Sequence, residues 1–295
     1  MKRFFLMSTL LLVALLVGAQ TKIAPKMKKG MKKVYVTETT INTEFKQPVT
    51  ITQETVFEVI DATDDGYILD AYVTDVKNNA SDAESRIYSL ATEMLKGVHT
   101  KYATDKDGKV TKVLEAEDIQ KRTDEMLDKI LGGISLPGGQ TANDLKSQLK
   151  LGVNEESLTE SLQISTSPLT LNGKTISTGT EEEYFNQSPG QLGLKMKRIY
   201  TLNDDGTIST SANIDMKKED IKQMLSGLFN KAMPADLPSD VLSGLESLFD
   251  NANIQCTEKS TYTLGKDNWV KGITSEMTTS AMGMSISMKS KVTSK

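Results

Sequence analysis

Alternation of apolar and polar positions dominates the chain. Lys32–Phe45, Val49–Asp61 and Tyr67–Lys77 are rich in Val, Ile, Thr, Tyr and Phe, and they predict three successive strands. From Ser81 the period changes. Ile87, Leu90, Ala91, Met94 and Leu95 recur at i, i+3, i+4, i+7 and i+8, one face of a helix that Ser81 and Glu84 cap and Gly97 stops. Two further strands flank Asp107-Gly108, and a second helix carries Ile119, Met126, Leu127, Ile130 and Leu131 on one face. Gly132–Gln140, with four Gly and one Pro, reads as a linker, and two short polar helical stretches follow at about 143–150 and 154–163.

The second half repeats the order of the first. "DDGYILDAYVTDVK" at Asp64 and "DDGTISTSANIDMK" at Asp204 share Asp-Asp-Gly, the Ile two residues later and a closing Asp-x-Lys, at a spacing of 140. Thr40 and Phe45 match Thr180 and Phe185 at that spacing. Tyr102, Lys106, Asp107 and Val110 match Tyr262, Lys266, Asp267 and Val270 at 160. A duplication with one inserted helix accounts for both spacings. The helical part of the second half carries Ile221, Met224, Leu225, Leu228 and Phe229 on one helix. Val241, Leu242, Leu245, Leu248 and Phe249 lie on another, with Pro234 and Pro238 between. A closing strand, Ala281–Val292, sets Met282, Met284, Ile286 and Met288 on one face and Gly283, Ser285, Ser287 and Lys289 on the other.

Little in the chain points to catalysis. The Asp-Gly turns resemble the start of a calcium loop, but no copy has the bidentate Glu at position 12: Tyr72, Leu114 and Ala212 stand there. The turns read as two-residue hairpins, where Gly supplies positive φ. His99 is the only His and Cys256 the only Cys. A nucleophile–base pair would have to be built from them, and neither has an elbow or oxyanion loop around it. Cys256 reads as a small buried strand residue, and Glu181-Glu182-Glu183 as solvated charge. No zinc pattern, phosphate loop or dinucleotide fingerprint is present, so no catalytic residue, no metal site and no cofactor is expected.

The ends place the protein. Lys2 and Arg3 precede an apolar run of about 14 residues, short of the roughly 20 that span a bilayer, and Val17-Gly18-Ala19 gives a cleavage site. Residues 1–19 therefore read as a secretory signal cut near Ala19. The mature chain is expected outside the cytoplasm, periplasmic or extracellular, and not integral to a membrane. Removal of Lys2 and Arg3 lowers the basic residues from 35 to 33 against 39 acidic ones, and the net charge from −4 to −6. That balance argues against nucleic acid as a partner.

The expected fold is α+β: a curved antiparallel β-sheet, or half-barrel, with amphipathic helices on its concave face. Residues 20–295 form one domain of two pseudo-repeated halves, about 31–131 and 174–295, joined by 132–173. The order of elements resembles the half-barrel of periplasmic lipoprotein carriers. The "GAQ" signal end, the "DDG" and "KDNW" hairpins and the closing Thr/Ser/Met strand resemble an uncharacterised secreted family of Bacteroidota type. The expected function is non-enzymatic binding of an apolar ligand between sheet and helices: a lipid, a lipoprotein acyl chain or a hydrophobic segment. Its lining would be Met224, Leu225, Leu228, Phe229, Leu245, Leu248, Phe249, Met282, Met284 and Met288, because flexible thioethers and large apolar groups suit permissive surfaces. The second reading is a structural or protein-interaction component of the envelope with a solid core.

Overall fold

A computed structural model describes residues 20–44, 47–79, 96–131, 166–184, 195–223, 254–281 and 284–295. Its strands in chain order are β1 (Thr21–Lys22), β2 (Lys32–Thr43), β3 (Val49–Ala62), β4 (Gly66–Asn78), β5 (His99–Asp105) and β6 (Val110–Leu114). One long helix, α1 (Ala116–Leu131), follows. Then come β7 (Thr175–Ile176), β8 (Thr180–Tyr184), β9 (Met196–Leu202), β10 (Ile208–Ile214), β11 (Gln255–Leu264), β12 (Val270–Ala281) and β13 (Met284–Ser294). β1 pairs with β7, and the other eleven strands form one antiparallel sheet in the order β6-β5-β4-β3-β2-β13-β12-β11-β10-β9-β8. Each neighbour is also next in sequence except β2 and β13. The first and last long strands thus meet in the middle, with Ser294 opposite Tyr35 and Met288 opposite Ile41.

Alternation explains the strands. In β10, Ile208, Thr210 and Ala212 are buried while Ser211 and Asn213 are exposed. In β11, Cys256, Glu258, Ser260 and Tyr262 turn inward against exposed Gln255, Thr257 and Lys259. β4 differs, because Leu69, Asp70 and Ala71 are all buried in succession. We call the face that carries Tyr35, Leu69, Tyr200, Tyr262, Ile273 and Val292 the front. On the back, the β2–β5 wing presents a row of Val34, Val56, Tyr72 and His99. The β9–β13 wing presents Lys, Ser, Thr and Glu there, with Ile199 standing out at 42% exposure.

The sheet is open and curved about its front. Laid flat, eleven strands about 4.8 Å apart would hold the two edges roughly 48 Å from each other. Instead, Val110 of β6 and Thr180 and Glu182 of β8, from opposite edges, line one cavity. Val113 of β6 likewise joins Tyr200 of β9 in a single hydrophobic cluster. Two segments close this end of the front face. The N-terminal segment adds Ile23 and Met27, and residues 166–176 add Leu169, Leu171 and Ile176, all nearly fully buried. They are tied by Ile23 N–H to Lys174 O (2.8 Å) and Gly173 N–H to Ile23 O (2.8 Å). Trp269 anchors the opposite wing: it is 2% exposed, and its indole N–H donates to Lys26 O at 3.1 Å. Tyr35 Oη donates to Val270 O at 2.8 Å beneath it.

Three details correct the local expectations. The hairpin loops are longer than two residues: 63–65, 106–109, 203–207 and 265–269. Aspartates hold these wider turns, since Asp105 Oδ1 accepts from the N–H groups of Asp107 and Lys109 (2.9 Å each) and Asp205 Oδ1 from that of Thr207 (2.9 Å). Ala281 belongs to β12 rather than to the closing strand, because it pairs with Met284 where the chain has already reversed. The last residues of the expected linker, 166–173, are core-forming turns rather than a spacer. The helices expected at 81–97 and from Ile221 onward fall outside the described residues, apart from 96–97 and from 218–223, which are helical and bury Ile221. Among the described residues, α1 matches the second expected helix, and Ile119 packs against the main cluster.

Candidate functional site

The front face changes character along the strands. Next to the closed end, a row across β9 to β13 reads Leu202, Ile208, Tyr262, Ile273 and Val292, and its last four members are 0–2% exposed. One step further along the strands the row is hydroxylic: Thr210, Ser260, Ser275, Ser290 and Thr39. Ser260 Oγ donates to Ser275 Oγ at 2.9 Å, and Thr39 Oγ1 and Ser290 Oγ share a bond of 2.9 Å. These small groups fill little space compared with the large apolar side chains of the row before them. The next row carries Ala212, Glu258, Met277, Met288 and Ile41. Met277, Met288 and Ile41 are half-buried, and Ile286, further along β13, is 48% exposed.

Of the lining residues expected from sequence, Met288 therefore sits on the front face opposite Met277 and Ile41. Met284 enters β13 opposite Ala281. Met224, Leu225, Leu228, Phe229, Leu245, Leu248, Phe249 and Met282 lie outside the described residues.

A polar cluster that local patterning did not single out lies under the β8–β11 wing. Arg198 and Glu258 are 3% exposed each and meet at 3.0 Å between Nη2 and Oε1. They stand on β9 and β11, with Ala212 of β10 exactly between them in register. Because the Ala212 side chain stops at Cβ, the guanidinium can reach across the middle strand. Glu182 of β8 accepts from Tyr200 Oη at 2.7 Å and pairs with the Lys174 ammonium. Burial lowers the Lys174 pKa from the usual lysine value; Glu182 opposes the shift, and Arg198 and Lys109 add to it. Burial likewise raises the Tyr262 phenol far above its usual range. The middle member of Glu181-Glu182-Glu183 thus turns inward, while Glu181 pairs outside with Lys197 at 2.7 Å.

This cluster opens into a cavity of about 380 Å³ lined by Asn172, Lys174, Glu182 and Tyr200, with Val110, Leu169 and Ile176 on the apolar side. Asn172 is 2% exposed, and neither its amide nitrogen nor its amide oxygen has a hydrogen-bond partner. Gly173 fixes the turn beside it. Its φ is +76°, and a Cβ there would lie 2.6 Å from Lys109 Cβ, so only glycine fits. The sequence signal was present: an Arg on the apolar side of alternating β9, a Glu on the apolar side of β11, and Leu-x-Leu-Asn-Gly inside a presumed linker.

His99 and Cys256 are not brought together. Five strands, β4, β3, β2, β13 and β12, separate β5 from β11, and the two side chains occupy opposite faces. His99 Nδ1 is 2.8 Å from Asp70 Oδ2, and its ring stacks on Tyr72 with centroids 4.4 Å apart. Burial raises the Cys256 thiol pKa, which disfavours the thiolate. Among the described residues no group of three or more His, Cys, Asp or Glu side chains could hold a metal, and no helix is long and apolar enough to cross a membrane.

No family model matches this sequence, and no curated protein matches it. Four chains of solved structures match. One, described as lipid-protein interactions in lipovitellin, is 10% identical with a TM-score of 0.42, and the match covers 92% of this chain and 25% of that one.

Proposed function

We propose that this is an exported, non-enzymatic binding module that holds an apolar ligand against the far part of its concave front face. The ligand is a lipid, an acyl chain or a hydrophobic segment of an envelope partner. One observation carries the reading: burial on the front face falls from complete at Ile208, Tyr262, Ile273 and Val292 to partial at Ile41, Met277 and Met288, and to 48% exposure at Ile286. Four contiguous apolar groups that the described fold leaves incompletely covered form a surface of the kind that takes up ligand. Methionine at two of the four positions suits a partner of irregular shape. Each methylene moved from water onto this surface would contribute about 0.8 kcal/mol.

The same proposal takes the chain as one domain of two related halves with helices over the concave face. Two features support the halves. β2–β6 and β8–β12 follow the same order within the sheet, and the matched tyrosines, Tyr102 and Tyr262, are both buried on the front. The test is native mass spectrometry of the protein purified from its own envelope, with fluorescent fatty acid titrated into delipidated protein. Co-purifying lipid, lost in Met288→Asp and Ile286→Asp variants that keep the wild-type melting temperature, is the expected result. Absence of both bound lipid and fatty-acid uptake would refute the reading.

A further inference from the structure

We propose that the cavity between the sheet edges is a second, polar binding site, for a small uncharged molecule that presents a hydrogen-bond donor beside an acceptor. The argument begins with Asn172. A side-chain amide offers two donors and an acceptor oxygen, and leaving it buried and unpartnered costs free energy that an apolar residue of similar size would not. Asn172 is 2% exposed, both polar atoms of its amide are unpartnered, and it lines the cavity. Both atoms are shielded from solvent as the side chain stands, so the amide would have to turn toward the cavity. There a ligand donor–acceptor pair would satisfy both atoms at once, as a primary amide or the vicinal diol of a sugar can.

The rest of the lining restricts the ligand's charge and size. The wall carries two bases, Lys109 and Lys174, and two acids, Glu181 and Glu182, so its lining charges balance, and the Lys174 ammonium is held by Glu182. A charged ligand would unbalance this lining, whereas a neutral one can bond to the Lys174–Glu182 pair as it stands. Val110, Leu169 and Ile176 form the apolar wall against which a ring or short alkyl part would rest. At about 30 Å³ for each water-sized group, 380 Å³ holds on the order of a dozen such groups, the size of a monosaccharide. The site is independent of the Met277–Met288 surface, and it needs both sheet edges in place. Bound ligand would therefore hold the curved sheet closed.

The test uses the full mature chain with two sets of probes at millimolar concentration: neutral monosaccharides, and small primary amides such as acetamide and glycine amide with its amine acetylated. Saturation-transfer NMR reads binding, and thermal unfolding reads stabilisation. The wild type is expected to bind members of at least one set, and the set that binds identifies the source of the shared chemistry. Asn172→Leu is expected to melt at or above the wild-type temperature without ligand, and to bind about tenfold more weakly or not at all. Val110→Phe, which fills the cavity from its apolar wall without touching the polar cluster, should lose binding in the same way and covers the case in which the first variant fails to fold. Binding of neither set to the wild type, undiminished binding by both variants, or tighter binding of inorganic phosphate than of any neutral probe would each overturn the proposal.

Discussion

The two ends of the front face are built from the same strands and yet do opposite things. At the closed end, Trp269, Tyr35, Tyr262, Ile273 and Leu69 are packed to 2% exposure or less beneath two chain segments. At the far end, Ile41, Met277, Met288 and Ile286 retain contact with solvent. A row of hydroxyls separates them. Ser and Thr bond to one another across strands but bring little volume, so packing does not propagate through them to the apolar row beyond. The contrast assigns stability to one end and leaves apolar surface incompletely covered at the other.

The closed end should break hardest. Trp269→Ala removes the largest buried side chain and the bond to Lys26 O that holds the N-terminal segment. Equilibrium urea unfolding is expected to lose about 4 kcal/mol. Glu258→Gln ranks next, at about 3 kcal/mol, because the buried Arg198 guanidinium loses the carboxylate it meets at 3.0 Å. Pairing that change with Arg198→Met should recover most of the loss. A double variant as unstable as the sum of the singles would mean that the pair does not act as a unit.

Much of the contrast could be read from the sequence, and its limits have physical causes. The alternation of β10 and β11 gives their inward residues correctly, because a strand with one wet face must keep period two. The pairing of β2 with β13 joins segments some 250 residues apart, and local pattern carries no information about such partners. The Arg198–Glu258 pair was hidden for a related reason. Each residue alone looks like a stray charge, and only the register with Ala212 between them reveals a bridge. Residues 166–173 were masked by composition. Gly and Pro suggest a linker, whereas Leu169 and Leu171 bury their side chains from within consecutive turns.

The far end should be mechanically quiet. Met288→Ala is expected to cost about 1 kcal/mol, below the range for a core methionine, because the side chain is only half-buried. Ile286→Ser should cost about 0.5 kcal/mol or less. Both should reduce fatty-acid uptake severalfold. Destabilisation at Met288 as large as at Trp269 would erase the distinction between the two ends.

A further small effect concerns pH at the closed end. Burial pushes the Asp267 carboxyl upward, but the Lys33 ammonium at 2.6 Å, the Trp269 N–H and the Lys33 charge outweigh it, so its pKa lies below the ordinary aspartate value of 3.8. A depressed carboxyl stabilises the fold above the unfolded pKa, and that contribution fades as pH falls through the folded one. Wild-type stability should therefore decline from about pH 5 toward pH 3 more steeply than that of Asp267→Asn. The carboxylate is 36% exposed, so solvent screening keeps the difference below about 1 kcal/mol. Parallel acid unfolding of the two proteins reads it directly. If their slopes coincide, the Lys33–Asp267 contact contributes nothing to closure, and the anchoring of this end rests on Trp269, Tyr35 and the backbone bonds of the N-terminal segment.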